Sequence, residues 1–147
     1  MRRDRKSVKE KTQKSGADRE RDAKPAEAGV TGHHGLRVWQ ESMDLVTAVY
    51  SLTGQLPKEE LFGLTSQLRR SAVSVPSNIA EGAARDTPRE FKQFLIIARG
   101  SLSELETQVL LARNLGYVSD IDTIQQRVRQ ILMLLNGLIR RLGPTPK

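Results

Sequence analysis

"LTSQLRRSAVSVPSNIAEG", Leu64 to Gly82, decides the fold, because it reads as one helix only if the chain passes Pro76 without breaking. Leu61, Leu64, Leu68, Ala72, Val75 and Ile79 fall in one narrow sector at about 100° per residue, and the stripe keeps its phase across the proline. Proline inside a helix removes one backbone hydrogen bond and crowds the carbonyl four residues back. An apolar stripe that survives on both sides therefore predicts a kinked but continuous helix from about Glu59. The freed carbonyl of Ala72 then needs water, Ser77 or Asn78 as its partner. On this reading Pro76, Asn78, Glu81 and Gly82 form an architectural hinge that sets the next turn. The alternative is a polar contact across a subunit interface centred on Asn78 and Glu81. Arg85 stands one turn beyond Glu81, the favourable order for an ion pair.

Upstream, Leu36 to about Gly54 shows the same period. Trp39, Met43, Val46 and Tyr50 lie on one side with Leu45, Val49 and Leu52 beside them, and Gly54 and Pro57 end the segment. Downstream, "DTPREF" is a helix start: Thr87 as N-cap, Pro88 at the first helical position, and Glu90 at capping-box spacing. Phe91, Phe94, Leu95, Ala98, Leu102, Leu105, Val109 and Ala112 then face one way until Gly116. Ser119 or Asp120 can cap a last helix. There Ile121, Ile124, Val128, Ile131, Leu135, Leu138 and Leu142 repeat at alternating threes and fours, and Gly143-Pro144 closes it. Four helices on short turns force antiparallel neighbours. The expected fold is all-α, an up-down-up-down four-helix bundle over 36–142, with 143–147 a flexible tail.

Residues 1–35 have a different composition. They carry almost no large apolar side chain, only Val8 and Val30 after Met1, and read as a disordered basic N-terminal arm. Residues 1–34 hold ten Lys/Arg against six Asp/Glu, a net of +4 out of the chain's +7. Such an arm is a nucleic-acid tether or a solubilising extension. His33 and His34 in "TGHHG" read as a solvated linker, a poor metal site. The chain has no cysteine, which excludes disulfides and thiolate chemistry. No apolar run is long enough to span a membrane and no secretory signal is visible, so the expected location is cytoplasmic.

Two features are left over on the outer faces. Ile96, Ile97 and Leu111 lie off the core stripe of the third helix, with Gly100, Ser101 and Ser103 permitting close backbone approach. Leu132, Met133 and Ile139 do the same on the fourth. These seven positions (Ile96, Ile97, Gly100, Leu111, Leu132, Met133, Ile139) are candidates for a homo-oligomer interface. Arg89, Lys92 and Arg99 share a sector of the third helix, and Arg129 and Arg140 lie together on the far side of the fourth. Arg69, Arg70, Arg113 and Arg127 add charge. Such surfaces suit a phosphate backbone. The bundle shows no aromatic platform for stacking bases, so binding is expected to be backbone-directed and weakly sequence-specific.

Catalysis is not expected. No histidine follows His34, which removes the Glu-x-x-His di-metal site, a Ser-His-Asp triad and a histidine base together. Glu41 with Asp44, or Glu104 with Glu106, are ordinary exposed carboxylates, and no glycine-rich phosphate loop is present. Catalytic residues, metal and cofactors are all expected to be none.

"VWQESMDLVTAVY", "FGLTSQLRRSAVSVPSNIAEGAAR" and "EFKQFLIIARGSLSELETQVLLARNLGY" together resemble a known bacterial family of four-helix bundles. It was first named from open reading frames in intervening sequences of 23S ribosomal RNA genes. Its fold is similar to that of the accessory variability protein of diversity-generating retroelements. The resemblance covers about residues 36–142. It carries Arg69, Arg70, Pro76, Asn78, Ile79, Glu81 and Gly82 onto the second helix, and Gly100, Ser101, Ser103, Glu104 and Glu106 onto the third. It implies a homopentamer with a positive surface, non-enzymatic, and in the retroelement branch serving a reverse transcriptase and nucleic acid.

The expected function is thus an oligomeric bundle that binds RNA or DNA through phosphate contacts, as an accessory factor to a nucleic-acid enzyme. The alternative is a protein-interaction scaffold with no nucleic-acid affinity of its own.

Overall fold

A computed structural model describes residues 32–144, so the expectations for residues 1–31 and 145–147 lie outside the described residues. A 3-10 turn, Gly32–Gly35, precedes α1 (Arg37–Thr53). A second 3-10 turn, Lys58–Glu60, leads into α2 (Leu64–Ala83), followed by α3 (Pro88–Asn114) and α4 (Asp122–Arg141). Each helix packs on the next in sequence and α4 packs back on α1, while the diagonal pairs α1/α3 and α2/α4 do not meet. That ring of neighbours is the up-down-up-down four-helix bundle. Its centre is aliphatic, with Leu45, Leu68, Ile79, Leu95, Leu105 and Leu135 fully enclosed.

On α1 the structure chooses between the two apolar stripes. Its core face is Val38, Leu45, Val49 and Leu52, with Ser42 among them donating to the Val38 carbonyl at 2.6 Å. The stripe Trp39, Met43, Val46 and Tyr50 lies to the flank, and Tyr50 is 45% exposed. Two apolar stripes one residue apart are rotated by only about 100°, so periodicity detects both without choosing between them.

Helix α2 begins later than expected and leaves Leu61 outside. The chain turns at Lys58–Glu60, and Glu60 folds back so that its Oε2 accepts the Leu64 N–H at 2.9 Å. The other carboxylate oxygen accepts the Tyr117 hydroxyl at 3.2 Å, which ties the α1–α2 connection to the α3–α4 connection. Partial removal from water, then that hydrogen bond, then the charges of Glu60 and Glu59, raise the Tyr117 phenol above its ordinary 10.0. A raised pKa means the folded state holds the proton more tightly. This contribution is therefore complete below pH 10.0 and is lost as pH rises through the folded value. Glu60→Ala is expected to cost about 1 kcal/mol, the worth of an N-terminal capping bond. Urea melts above pH 10 should then show a smaller Tyr117-dependent decline, and in Tyr117→Phe none.

Helix α2 runs unbroken through Pro76, whose ring is buried. The side chain of Asn78 does not reach Ala72. It donates to the Ser74 carbonyl at 2.8 Å and to Ser74 Oγ at 2.9 Å, because an Asn side chain turned back along a helix meets the carbonyl one turn behind it. Ser74 Oγ in turn shares a hydrogen with Ser101 Oγ at 2.9 Å, so Asn78 belongs to a polar ladder between α2 and α3 within one chain. One rung further along, Ser71 donates to Gln108 Oε1 at 2.7 Å, both residues buried. Gly82 is buried where α3 crosses, against Phe91 and Phe94. Glu81 and Arg85 form the expected ion pair at 3.0 Å.

The start of α3 is as expected: Thr87 Oγ1 accepts the Glu90 N–H at 3.2 Å and donates its own proton to Glu90 Oε2 at 3.1 Å, with Pro88 at the first position. Gly116 at φ +77° ends the helix, where the Tyr117 N–H returns to the Ala112 carbonyl. At the start of α4, Asp120 Oδ1 accepts the Asp122 N–H at 3.1 Å. The α4 core runs Ile124, Val128, Ile131, Leu135 and then Ile139 instead of Leu138. A straight helix drifts about 20° per heptad against a strict seven-residue repeat, and by the last turn that drift brings Ile139 inward. At 8% exposure Ile139 is core, which removes it from the interface candidates.

The ordered frame also starts before Leu36. His33 and His34 stack at 4.2 Å and both meet the Trp39 ring edge-on, at 4.8 and 5.2 Å, so the pair is a packed N-terminal turn and not a loose linker.

Candidate nucleic-acid interface

The seven cationic candidates divide among three faces of the bundle. On the α1–α2 edge, the Arg69 guanidinium lies 4.5 Å over the Tyr50 ring, and its Nε donates to Thr53 Oγ1 at 2.9 Å. Arg70 beside it is exposed. At the start of α3, Arg89 is exposed, while the Lys92 ammonium donates to the Gly143 carbonyl at 2.7 Å, just beyond the C-terminal end of α4. A cation suits that position, where the helix dipole is negative. Arg99 donates to Asn136 Oδ1 at 3.0 Å. Lys92 and Arg99 thus hold α3 to α4, and they are less available to a ligand than their shared sector suggests.

Helix α4 is the most one-sided surface. From Thr123 to Pro144 it carries Arg127, Arg129, Arg140 and Arg141 and no acidic residue. Arg129, Arg140 and Arg141 are exposed, without an ion-pair partner among the described residues. Eleven residues separate Arg129 from Arg140, three full turns, so they point the same way roughly 16 Å apart. The acid-free run was legible in the sequence as a charge pattern, and arginine spacing on its own passes over it.

The apolar candidates fall on the α3–α4 side. Ile96, Ile97 and Leu111 are exposed on α3, Met133 is 74% exposed on α4, and Leu132 is half-buried. Gly100 is exposed too, and nothing lies within 4 Å of where a Cβ would stand. The hinge residues Pro76, Asn78 and Gly82 point into the protomer, while Glu81 faces solvent with Arg85. No aromatic platform is expected from periodicity, yet the structure exposes one aromatic side chain that the sequence reading passes over. Phe62 stands 93% exposed beside Tyr50 and the two arginines, a position periodicity misses because Phe62 sits in a turn.

No group of three or more His, Cys, Asp or Glu side chains that could hold a metal ion occurs among the described residues. None of the described helices is long and apolar enough to cross a membrane. What the fold and its surface define is a basic four-helix bundle with surplus apolar side chains exposed on α3 and α4 as well as on the α1–α2 edge. The profile of the 23S rRNA-intervening sequence proteins matches residues 34–137, and the chain belongs to that family. Comparison with curated proteins gives no match.

Proposed function

We propose that the protein binds RNA or DNA in the cytoplasm through phosphate contacts along α4, with low sequence specificity and no catalysis of its own. The acid-free run of four arginines in α4 carries this reading. Unopposed guanidinium groups on one helix release counterions from a phosphate backbone, and they offer it bidentate donors. The RNA-related family name agrees with it. An accessory role beside a nucleic-acid enzyme such as a reverse transcriptase belongs to the same reading.

The test is a salt titration. Log affinity for mixed-sequence RNA should fall linearly with log salt, and Arg129→Ala with Arg140→Ala should make that slope shallower by about 2. Lys92→Ala should instead loosen the end of α4 in hydrogen exchange. Absence of binding at about 50 mM salt would rule the reading out in favour of a protein-interaction scaffold.

The bundle works as a homo-oligomer in this proposal, a homopentamer by the resemblance of its sequence, through the ridge of Ile96, Ile97 and Leu111 on α3, while Met133 shares the arginine-bearing face of α4. Gly100 supports this. A glycine inside a helix destabilises it by about 0.5–1 kcal/mol relative to alanine, and no contact within the protomer requires one there. Gly100→Ala is therefore expected to stabilise the isolated bundle by that amount while weakening assembly. Light scattering at micromolar concentration reads the second effect, and a monomeric wild type would contradict the ridge.

A further inference from the structure

We propose that the cavity where α1 ends and α2 begins holds an unpaired nucleotide of a single-stranded nucleic acid, its base stacked between Phe62 and the Tyr50–Arg69 pair and its phosphate on Arg70. The inference rests on the nucleic-acid reading above. It adds a base-recognising site on a different edge of the bundle from α4.

The cavity measures about 500 Å³, within the usual range of small-ligand sites. Tyr50, Phe62, Arg69 and Arg70 all line it, along with the Ser66 hydroxyl, and no acidic side chain does. Glu60, two residues before Phe62, is turned toward the Leu64 N–H and the Tyr117 hydroxyl. The site is therefore positive with aromatic walls, a combination that matches a base and its phosphate together.

One wall is built in advance. The bond from Arg69 Nε to Thr53 fixes the guanidinium plane over the Tyr50 ring, so little further ordering is needed when a third flat group arrives. The other wall is Phe62. The chain's other two phenylalanines, Phe91 and Phe94, are half-buried, whereas Phe62 is almost wholly in water. A duplex already stacks its own bases, so only an unpaired one can use these walls.

The experiment uses the full chain and fluorescence anisotropy with labelled strands of about a dozen nucleotides. The probes are single-stranded RNA, the matching DNA, an abasic strand of equal length, and a blunt duplex. Both base-bearing single strands should bind about tenfold or more tighter than the abasic strand, the worth of one stacked base. Phe62→Ala and Tyr50→Leu should remove that advantage without changing the salt slope, whereas Arg70→Ala should make the slope shallower. A preference for RNA over DNA would assign the site to RNA, and equal binding would assign it to either single strand. Circular dichroism checks folding, and Phe62, being exposed, can be replaced without disturbing the core.

If base-bearing and abasic strands bind alike and Phe62→Ala is silent, stacking is overturned while phosphate binding on α4 stands. If no strand binds, the nucleic-acid reading fails and this site with it. If Phe62→Ala lowers the assembled mass in light scattering, a second copy of the chain occupies the cavity and the proposal is overturned.

Discussion

Gly82→Ala is expected to lower the stability of the bundle by about 2 kcal/mol, although alanine is the better helix former. Propensity favours the substitution by about 1 kcal/mol. The added Cβ, however, would stand 2.7 Å from Phe94 Cβ, 2.9 Å from Phe91 Cδ2 and 3.2 Å from the Phe91 carbonyl oxygen. Phe94 Cβ is fixed to the α3 backbone and cannot swing aside as a side-chain tip does. Helix α3 must move as a body, which costs about 3 kcal/mol, the upper end of the range for overpacking. Urea denaturation measures the difference. A variant as stable as wild type would mean that α2 and α3 are not in close contact at Gly82. The glycine in "SVPSNIAEG" is thus required by packing against the next helix, and it is not a sign of a flexible site.

The second large effect is expected at the Ser71–Gln108 pair, where Ser71→Ala should cost about 1–3 kcal/mol. Both residues are buried and share a 2.7 Å hydrogen bond. Removing the hydroxyl leaves Gln108 Oε1 without that donor in a place water does not reach. Gln108 cannot compensate through its amide, which points to Glu104 at 3.4 Å. Adding Gln108→Leu removes the stranded acceptor and should recover most of the loss. A double-mutant cycle on thermal melts then gives a coupling of about 1 kcal/mol or more. Additive losses would show that the bond contributes nothing to stability.

What the sequence made legible was local. The Thr87–Pro88–Glu90 start depends on residues three apart, and the stripe Leu64, Leu68, Ala72, Val75, Ile79 needs only one helical period to be recognised. What it hid depends on partners far away along the chain. Lys92 meets Gly143 across 51 residues and Arg99 meets Asn136 across 37, so neither bond leaves a trace in a window of one helix. The inward face of α1 was hidden for a related reason, since which of two adjacent apolar stripes faces inward is set by the neighbouring helices. Phe62 escaped because periodicity assigns Leu61 to the stripe and leaves its neighbour unexamined, and a phenylalanine is by default expected inside.

An even number of antiparallel helices also gives the molecule two unlike ends. At one end the chain enters through the His33–His34 turn and leaves past Gly143, which Lys92 at the start of α3 holds in place. At the other, Glu60 and Tyr117 join the two remaining connections, beside the cavity of Tyr50 and Phe62. An attachment near Gly32 or Pro144, the two ends of the described residues, therefore presents the same pole to solution, the one with the aromatic cavity. A probe placed in the α1–α2 connection would sit on that pole and report directly on what binds there.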